Sequence, residues 1–396
     1  MGNLLVKRAD NISITSNDEA PAAPPGKFLQ TKVFLLQARK DGLTVQQLAK
    51  SRSPRSVLKY LLFGGVLCVG GLLSGTAFYI VETIIRPTRP PRSRSRTLTP
   101  FELGLPAEAV TFAPRQGRHR VHGWFIPSPG ATSTIIVCPG YRSSKSDTLG
   151  ICGFLWKAGH NILTFEYHGH GSEVSTAITL GYREQEDFLG ALLYAKRRAA
   201  GTRLGVLAYS MGAAVAIMCS ARCSEIEAII ADSAFATHTR VVDYHVRRRL
   251  HMPSAPFVWL ADHLLNWRAG YRFHQVEPLR DIPFLASRPL LIIHGGADTT
   301  VDPQDAFLLY RAAREPKELW IVPEADHCGA YFVDRPRYVR RVTAFFGEHL
   351  QRQPVQPHLI DYPAVEHMLA LAKTLPSEAL PEEPVLEHIT EPLYAA

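Results

Sequence analysis

The chain has 396 residues, of which 46% are hydrophobic and 20% charged, so it can bury at least one full-sized core and is not disordered overall. Its formal net charge of +8 is concentrated in basic patches at 86–96 and 247–249 without any DNA- or RNA-binding module, which argues against nucleic acid as a partner. The six cysteines form neither a dense disulfide framework nor paired C-x₂-C units, and we expect no metal and no cofactor.

A long apolar segment stands near the N-terminus. Leu61 to Ile80 contain no charged side chain, and about 20 such residues cross a bilayer. The segment begins beyond the first ~15–30 residues in which a cleaved signal peptide lies. The sequence therefore predicts a retained single-pass transmembrane helix over residues 57–85, after a polar and partly helical tail at 1–56. A buried core helix is the alternative interpretation.

The charges around this segment leave its orientation open. Lys and Arg residues are nearly matched on its two flanks, so the positive-inside rule does not decide which side of the membrane holds the rest of the chain. Gly71 and Gly75 form a G-x-x-x-G pair through which two such helices can dimerise, although in a glycine-rich span such a pair is more often incidental.

The remainder of the chain divides by composition into three parts. Residues 86–105 form an Arg/Pro linker, and residues 351–396 an acidic, Pro-rich tail. Between them, residues 106–350 alternate apolar runs with helical patterns, which predicts an α/β domain with a mostly parallel sheet and helices on both faces. The predicted strands are Val121–Ile126, Thr134–Val137, Asn161–Phe165, Leu204–Ala208, Ile226–Ala231, Leu290–His294 and Glu318–Val322. The predicted helices are Tyr182–Arg197, Met211–Ser220, Asp305–Arg314 and Arg335–Leu350.

One predicted strand leads straight into a serine and then into an Ala-rich helix. Ser210 has small residues two positions before and after it, Ala208 and Gly212, as a sharp strand-to-helix turn requires. Such a turn presents the serine hydroxyl as a nucleophile. The usual pattern has Gly at both positions, so Ala208 departs from it by one methyl group. On its own, the motif fits a tight packing turn equally well.

Serine-based acyl transfer also needs a base and an acid that orients it. Asp298 and His327 each follow a predicted strand, and the carboxyl ends of parallel strands meet at one edge of a sheet. We therefore expect His327 to act as the base for Ser210 and Asp298 to orient it.

Other polar residues compete for these roles. Asp232, which also follows a strand, and Asp302 are alternatives to Asp298 as the acid. His168 and His170 are further imidazoles, but they lie in a glycine-rich turn that is more consistent with a structural role.

The tetrahedral oxyanion of such a reaction needs two N–H donors. One is expected from Met211, the residue after the nucleophile, and one from the loop Cys138–Tyr141. Since Pro139 has no N–H, Tyr141 is the expected second donor, with Gly140 allowing the backbone to approach.

Several motifs occur together between residues 106 and 350. They are Pro139–Asp147, Tyr167–Gly171, Thr179–Glu184, Ala208–Gly212, Ala231–Phe235 and His294–Asp298. This combination resembles the α/β-hydrolases related to acylaminoacyl-peptidases and acetyl-xylan-esterase-like serine hydrolases. The resemblance implies the α/β-hydrolase fold and hydrolysis of a carboxylic ester, thioester or amide without metal or cofactor. It does not fix the substrate.

The resemblance also implies a small helical cap over the nucleophile, formed by the insertion at 237–282. Its aromatic residues suit an acyl chain and its arginines a carboxylate or phosphate, although ordinary helix packing accounts for most of them. The aromatic residues are Tyr244, Phe257, Trp259, Trp267, Tyr271 and Phe273, and the arginines are Arg247–Arg249, Arg268 and Arg272.

Taken together, these patterns predict a serine hydrolase held in a membrane by one transmembrane helix and acting on a small-molecule or lipid acyl substrate. An acylaminoacyl-type serine peptidase is one alternative. A catalytically silent hydrolase-fold protein that serves as a membrane scaffold is another, and the presence of Ser210, Asp298 and His327 argues against it.

Overall fold

The computed structural model describes residues 54–86, 98–170 and 177–350. The predicted polar tail up to residue 53, most of the linker and the acidic tail lie outside the described residues. The chain divides into two compact units, Met1–Gly71 and Leu72–Ala396, and the second holds all the strands described below.

The first described helix, α1, covers Pro54–Ile85. By length and composition it is the one described helix that could cross a membrane, over Leu58–Ile85 with a mean hydropathy of 1.9. Its last turns differ from the rest because several of their side chains belong to the hydrophobic core of the second unit. These buried residues are Ala77, Val81, Ile84 and Ile85.

Eight strands form one sheet in the order β1-β2-β4-β3-β5-β6-β7-β8. They are β1 (Glu108–Phe112), β2 (Val121–Ile126), β3 (Ser133–Cys138), β4 (Asn161–Phe165), β5 (Arg203–Tyr209), β6 (Ile226–Asp232), β7 (Leu290–Gly295) and β8 (Lys317–Val322). Only β2 pairs antiparallel, with β1 and β4, so the prediction of a mostly parallel sheet is confirmed. The central strands read as continuous apolar runs because helices bury both faces.

Helices cover the two faces of the sheet. After α1 they are α2 (Leu149–Lys157), α3 (Glu184–Arg198), α4 (Met211–Ser220), α5 (His238–Leu250), α6 (Ala255–Ala269), α7 (Pro278–Asp281), α8 (Gln304–Ala312), α9 (Ala330–Val333) and α10 (Arg335–Leu350). One hydrophobic cluster joins the end of α1 to α3, α4 and the α5–α6 pair, and a second packs α2 and α10 on the sheet. The two clusters account for the helices expected on both faces.

The register of the sheet brings the polar candidates to one edge. Tyr209, the last residue of β5, pairs with Asp232 at the end of β6, and Gly295 at the end of β7 pairs with Val322 at the end of β8. The loops that leave these strands therefore start side by side.

Candidate active site

Ser210 occupies a sharp turn between β5 and α4. Its backbone has φ 50° and ψ −118°, which is an unfavourable conformation for a residue with a side chain. The turn is crowded as expected, since a Cβ atom on Gly212 would lie 2.4 Å from the carbonyl oxygen of Pro139. Ala208 is fully buried and its methyl group is accommodated in β5. The backbone therefore holds the hydroxyl of Ser210 above the end of the sheet.

His327, in the loop after β8, contacts the Ser210 side chain. Its Nε2 lies 2.8 Å from Ser210 Oγ, and its Nδ1 lies 2.6 Å from Asp298 Oδ2. An ionised carboxylate only accepts hydrogen bonds, so Nδ1–H donates to Asp298 and leaves Nε2 to accept the proton of the hydroxyl. The three predicted residues thus form one continuous hydrogen-bonded chain.

Asp298 is buried in the loop after β7 and is held from several directions. Its Oδ1 accepts the N–H groups of Thr300 and Val301 at 2.8 and 2.9 Å, and His294 Nε2 lies 3.2 Å from Oδ2. Burial raises the pKa of Asp298, but the contacts with His294 and His327 outweigh it and hold the pKa well below the usual range. The carboxylate is therefore ionised and can stabilise a protonated His327.

Asp232, the alternative acid, has other partners. Its carboxylate accepts hydrogen bonds from Tyr338 Oη at 2.8 Å and from Ser233 Oγ at 2.9 Å. Burial raises its pKa, in contrast to Asp298. Within the described part of the chain, the link from Asp232 to the His327 loop runs through Ser233 Oγ, which accepts the N–H of Cys328 at 3.1 Å.

The other candidates of the sequence are engaged elsewhere. Asp302 forms an ion pair with Arg240 at 3.2 Å. His170 is buried, and its Nδ1 donates to the carbonyl of His168 at 3.0 Å, within the glycine-rich turn. The geometry therefore favours Asp298 and His327 as the partners of Ser210.

The loop after β3 lies directly against the serine. A Cβ atom on Gly140 would be 3.3 Å from Ser210 Cβ, so only a glycine lets the backbone come this close without displacement. Among the described residues, the backbone N–H groups of Tyr141 and Met211 have no acceptor. Neither predicted oxyanion donor therefore has a competing acceptor in the described part of the chain.

The insertion predicted as a cap contains α5 and α6, between β6 and β7. Tyr244 Oη of α5 donates to the backbone carbonyl of Asp298 at 3.1 Å, which fastens the cap to the acid loop. The sequence did not single out this contact, nor the contact of His294 with Asp298. His294 could have been noticed because it lies in the last residues of β7, four positions before Asp298.

Most of the aromatic and basic cap residues support the cap itself. Phe257, Tyr271 and Phe273 are buried, whereas Trp259 and Trp267 are 63% and 78% exposed. The paired arginines are Arg247 with Asp243, Arg268 with Glu82 and Arg272 with Asp262. Each of these three arginines thus has a carboxylate partner within the protein, which is consistent with a role in packing.

Among the described residues, no group of three or more His, Cys, Asp and Glu side chains has the arrangement of a metal site. The groups that this edge of the sheet brings together are a serine hydroxyl, an imidazole and a carboxylate.

Comparisons with known proteins bear on the fold of the chain. A model of the prolyl oligopeptidase family matches residues 168–353. The uncharacterized protein YqkD of Bacillus subtilis is 29% identical over 229 residues, which cover 57% of this chain and 74% of that protein. An uncharacterized membrane protein of Saccharomyces cerevisiae, YNL320W, is 20% identical over 186 residues, or 46% of this chain and 65% of that protein.

A solved structure of the Pyrococcus furiosus esterase Pf2001 superposes with a TM-score of 0.56 at 25% identity and covers 67% of this chain and 99% of the esterase. The hypothetical protein PA2218 of Pseudomonas aeruginosa superposes with a TM-score of 0.51 at 19% identity, covering 66% of this chain and 99% of that one. With the sheet topology, these matches show that the chain has the α/β-hydrolase fold, which defines the α/β-hydrolase superfamily.

Proposed function

We propose that the protein is a membrane-anchored serine hydrolase that cleaves a carboxylic ester, a thioester or a lipid-like acyl substrate. The observation that carries this proposal is the chain of contacts from Ser210 Oγ to His327 Nε2 at 2.8 Å and from His327 Nδ1 to Asp298 Oδ2 at 2.6 Å. These are the distances at which a base can take the hydroxyl proton and an acid can orient the base.

The residues support a two-step acyl transfer. Ser210 Oγ bonds to the acyl carbon while its proton passes to His327 Nε2, and the ionised Asp298 stabilises the imidazolium that results. The N–H groups of Met211 and Tyr141 donate to the oxyanion. The imidazolium then protonates the departing alcohol or thiol. Water attacks the acyl-enzyme with His327 as base, which releases the carboxylic acid and restores the hydroxyl of Ser210.

A fluorophosphonate probe tests the nucleophile, because it phosphonylates an activated serine. We expect the wild type to be labelled and Ser210→Ala to remain unlabelled. Ser220→Ala is the matched control, since it removes a buried hydroxyl at the end of α4 that has no hydrogen-bond partner among the described residues. If the wild type labels no better than Ser210→Ala, the protein is a hydrolase-fold scaffold and not an enzyme.

Two observations support membrane anchoring. The helix over Leu58–Ile85 is long and apolar enough to span a bilayer, and the yeast relative is named a membrane protein. We expect the full chain to stay in the membrane fraction through a carbonate wash. Release of the intact chain by carbonate would overturn the transmembrane span.

We also propose a preference for apolar acyl chains, which rests on the proposed position next to a bilayer. A hydrophobic pocket discriminates by about 1–3 kcal/mol per methylene, so we expect kcat/KM for p-nitrophenyl esters to rise gradually with chain length up to a limit set by the cap. A flat or falling series beyond acetyl would indicate a small-acyl esterase.

The match to the prolyl oligopeptidase family model favours a serine peptidase as a second candidate. The structural similarity to Pf2001, which is an esterase, supports ester cleavage instead. A panel that adds N-acylated peptides to the esters separates the two candidates. Efficient cleavage of the peptides with inert esters would replace the esterase proposal by the peptidase.

A further inference from the structure

The loop next to Ser210 is fastened to the end of α1 by two side chains. Tyr141 Oη lies 2.7 Å from the carbonyl oxygen of Thr83 and 2.9 Å from that of Ile84, so its hydroxyl is shared between them. Arg142 Nη2 donates to the carbonyl of Thr83 at 2.9 Å and to that of Arg86 at 3.3 Å. Four contacts therefore join adjacent loop residues to one helix end.

The end of a helix has a physical need for such partners. The last four carbonyl groups have no N–H donor within the helix, and the negative end of the helix dipole favours a cation. Tyr141 and Arg142 supply the donors and the charge, and the N–H of Ile178 donates to the carbonyl of Ile85 at 3.2 Å.

Packing makes this helix end a firm support. Val81 is 1% exposed, and Ala77, Ile84 and Ile85 are also buried in the core cluster that includes Met211 of α4. A helix end that shares the core with the nucleophile turn cannot shift freely against it.

The backbone of the loop is itself constrained. Arg142 has a positive φ of 60°, a conformation that side-chain-bearing residues adopt only when their surroundings impose it. Gly140, two residues earlier, approaches Ser210 closely. The bonds from Arg142 to the helix end hold the loop in this conformation at the point where it faces the nucleophile.

We propose that the side chains of Tyr141 and Arg142 are positioning groups that use the end of α1 to fix the oxyanion donor at the Tyr141 N–H. The proposal rests on the proposed serine hydrolase function and assigns α1 a part in the reaction as well as in anchoring. Removing the side-chain bonds keeps the Tyr141 N–H group but lets the loop that carries it move, so the stabilisation of the transition state falls while substrate binding is retained.

The test uses the full chain in detergent or vesicles with Tyr141→Phe, Arg142→Met and the double variant. We expect kcat of the double variant to fall about ten-fold with KM within about two-fold, less than the 10²–10³-fold cost of deleting an oxyanion donor. A trifluoromethyl ketone, whose tetrahedral adduct carries an oxyanion, should bind about ten-fold more weakly. Arg142→Lys should recover part of the loss, because a lysine ammonium can still donate to the carbonyls.

Tyr194→Phe is the matched control, since Tyr194 of α3 stacks on Phe112 of β1 and its hydroxyl interacts with Arg198. A lower thermal midpoint in the double variant with unchanged kcat and ketone affinity would show that the bonds serve only stability and would overturn the proposal. If the wild type neither labels with fluorophosphonate nor turns over an ester, the proposed function fails, and this proposal with it. A labelled, active wild type confines any failure to the positioning role.

Discussion

Asp232 ends β6 and Asp298 follows the neighbouring strand β7, yet their carboxylates accept hydrogen bonds from different partners. Asp298 contacts the imidazole of His327 directly, while Asp232 is enclosed by Tyr338 and Ser233. Burial raises the pKa of Asp232, whereas the hydrogen bonds around Asp298 overcome burial and lower its pKa. Only one of the two carboxylates is placed to balance a charge on the histidine.

This difference predicts unequal effects of removing the two charges. Asp298→Asn should lower kcat by about a thousand-fold or more, because the neutral amide neither fixes the tautomer of His327 nor stabilises its protonated form. Asp232→Asn should lower kcat less than about ten-fold. The kcat of both variants on one p-nitrophenyl ester checks this, and a crippled Asp232→Asn beside a mild Asp298→Asn would transfer the role of the acid to Asp232.

A second prediction concerns crowding at the nucleophile turn. A Cβ atom on Gly212 would lie 2.4 Å from the Pro139 oxygen and 3.0 Å from the Cys138 oxygen, both of them backbone atoms at the end of β3. We expect Gly212→Ala to cost about 1–3 kcal/mol of unfolding free energy and to slow fluorophosphonate labelling, since the loop beside Ser210 must move.

Gly347→Ala in α10 is the control for this experiment, because nothing lies within 4 Å of an added Cβ. It should stabilise the protein by about 0.5–1 kcal/mol through the better helix propensity of alanine. Urea unfolding measures both effects. Equal stability of the two variants would mean that the turn tolerates a side chain at position 212.

A third prediction concerns pH. His238 is fully buried among aromatic rings, and neither ring nitrogen has a partner in the described residues. Burial lowers its pKa to about 3. In the unfolded chain His238 takes up a proton near pH 6.5, whereas in the folded protein it does not. The contribution of the neutral His238 to the free energy of unfolding is therefore complete above about pH 6.5 and is lost as the pH falls towards 3.

His238→Phe should remove this contribution. We expect its free energy of unfolding to fall less steeply than that of the wild type between about pH 6 and 4, by up to about 1.4 kcal/mol per pH unit. Urea midpoints at several pH values in this window give the comparison. Parallel curves for the two proteins would show that the His238 ring accepts a proton without unfolding.

A fourth prediction concerns the residue at which the α/β-hydrolase unit must begin in order to fold. A chain that starts at Leu72 keeps the buried turns of α1, whereas a chain that starts at Leu98 lacks Val81, Ile84 and Ile85. Burying each of these side chains contributes about 1.5–3 kcal/mol, which is large beside a total stability of about 5–15 kcal/mol. We expect the shorter chain to be unfolded or aggregated.

Circular dichroism and fluorophosphonate labelling distinguish the two chains, with detergent present because the first retained turns are apolar. A chain starting at Leu98 that folds and labels as well as the longer one would show that α1 serves only as an anchor.

The strands, and the polar residues that follow them, could be predicted because their signals are local. Continuous apolar runs predicted seven strands whose ends shift by at most one residue in the structure, and the polar residues that follow them lie at one edge. The edge strand β1 was not predicted, because Phe112 is the single buried residue in its five. A short, half-exposed strand carries little hydrophobic pattern.

The contacts that the sequence did not predict join distant parts of the chain. The bonds from Tyr141 to the end of α1 and from Tyr244 to Asp298 connect residues that share no motif. An apolar helix has the same pattern of hydrophobic residues whether lipid or protein covers it. The sequence therefore does not mark Val81 as a core residue of the second unit. Tertiary packing alone decides such positions.

The burial of Val81 and Ile84 also sets an order of events during protein synthesis. Both residues leave the ribosome before β1, and the core cluster on their side of the sheet closes only after the later strands and helices have been made. N-terminal segments form first during synthesis, so this face of the sheet assembles onto a helix that is already present. With α1 inserted as proposed, the enzyme matures at the bilayer surface, and a delay in insertion leaves an incomplete core exposed to aggregation.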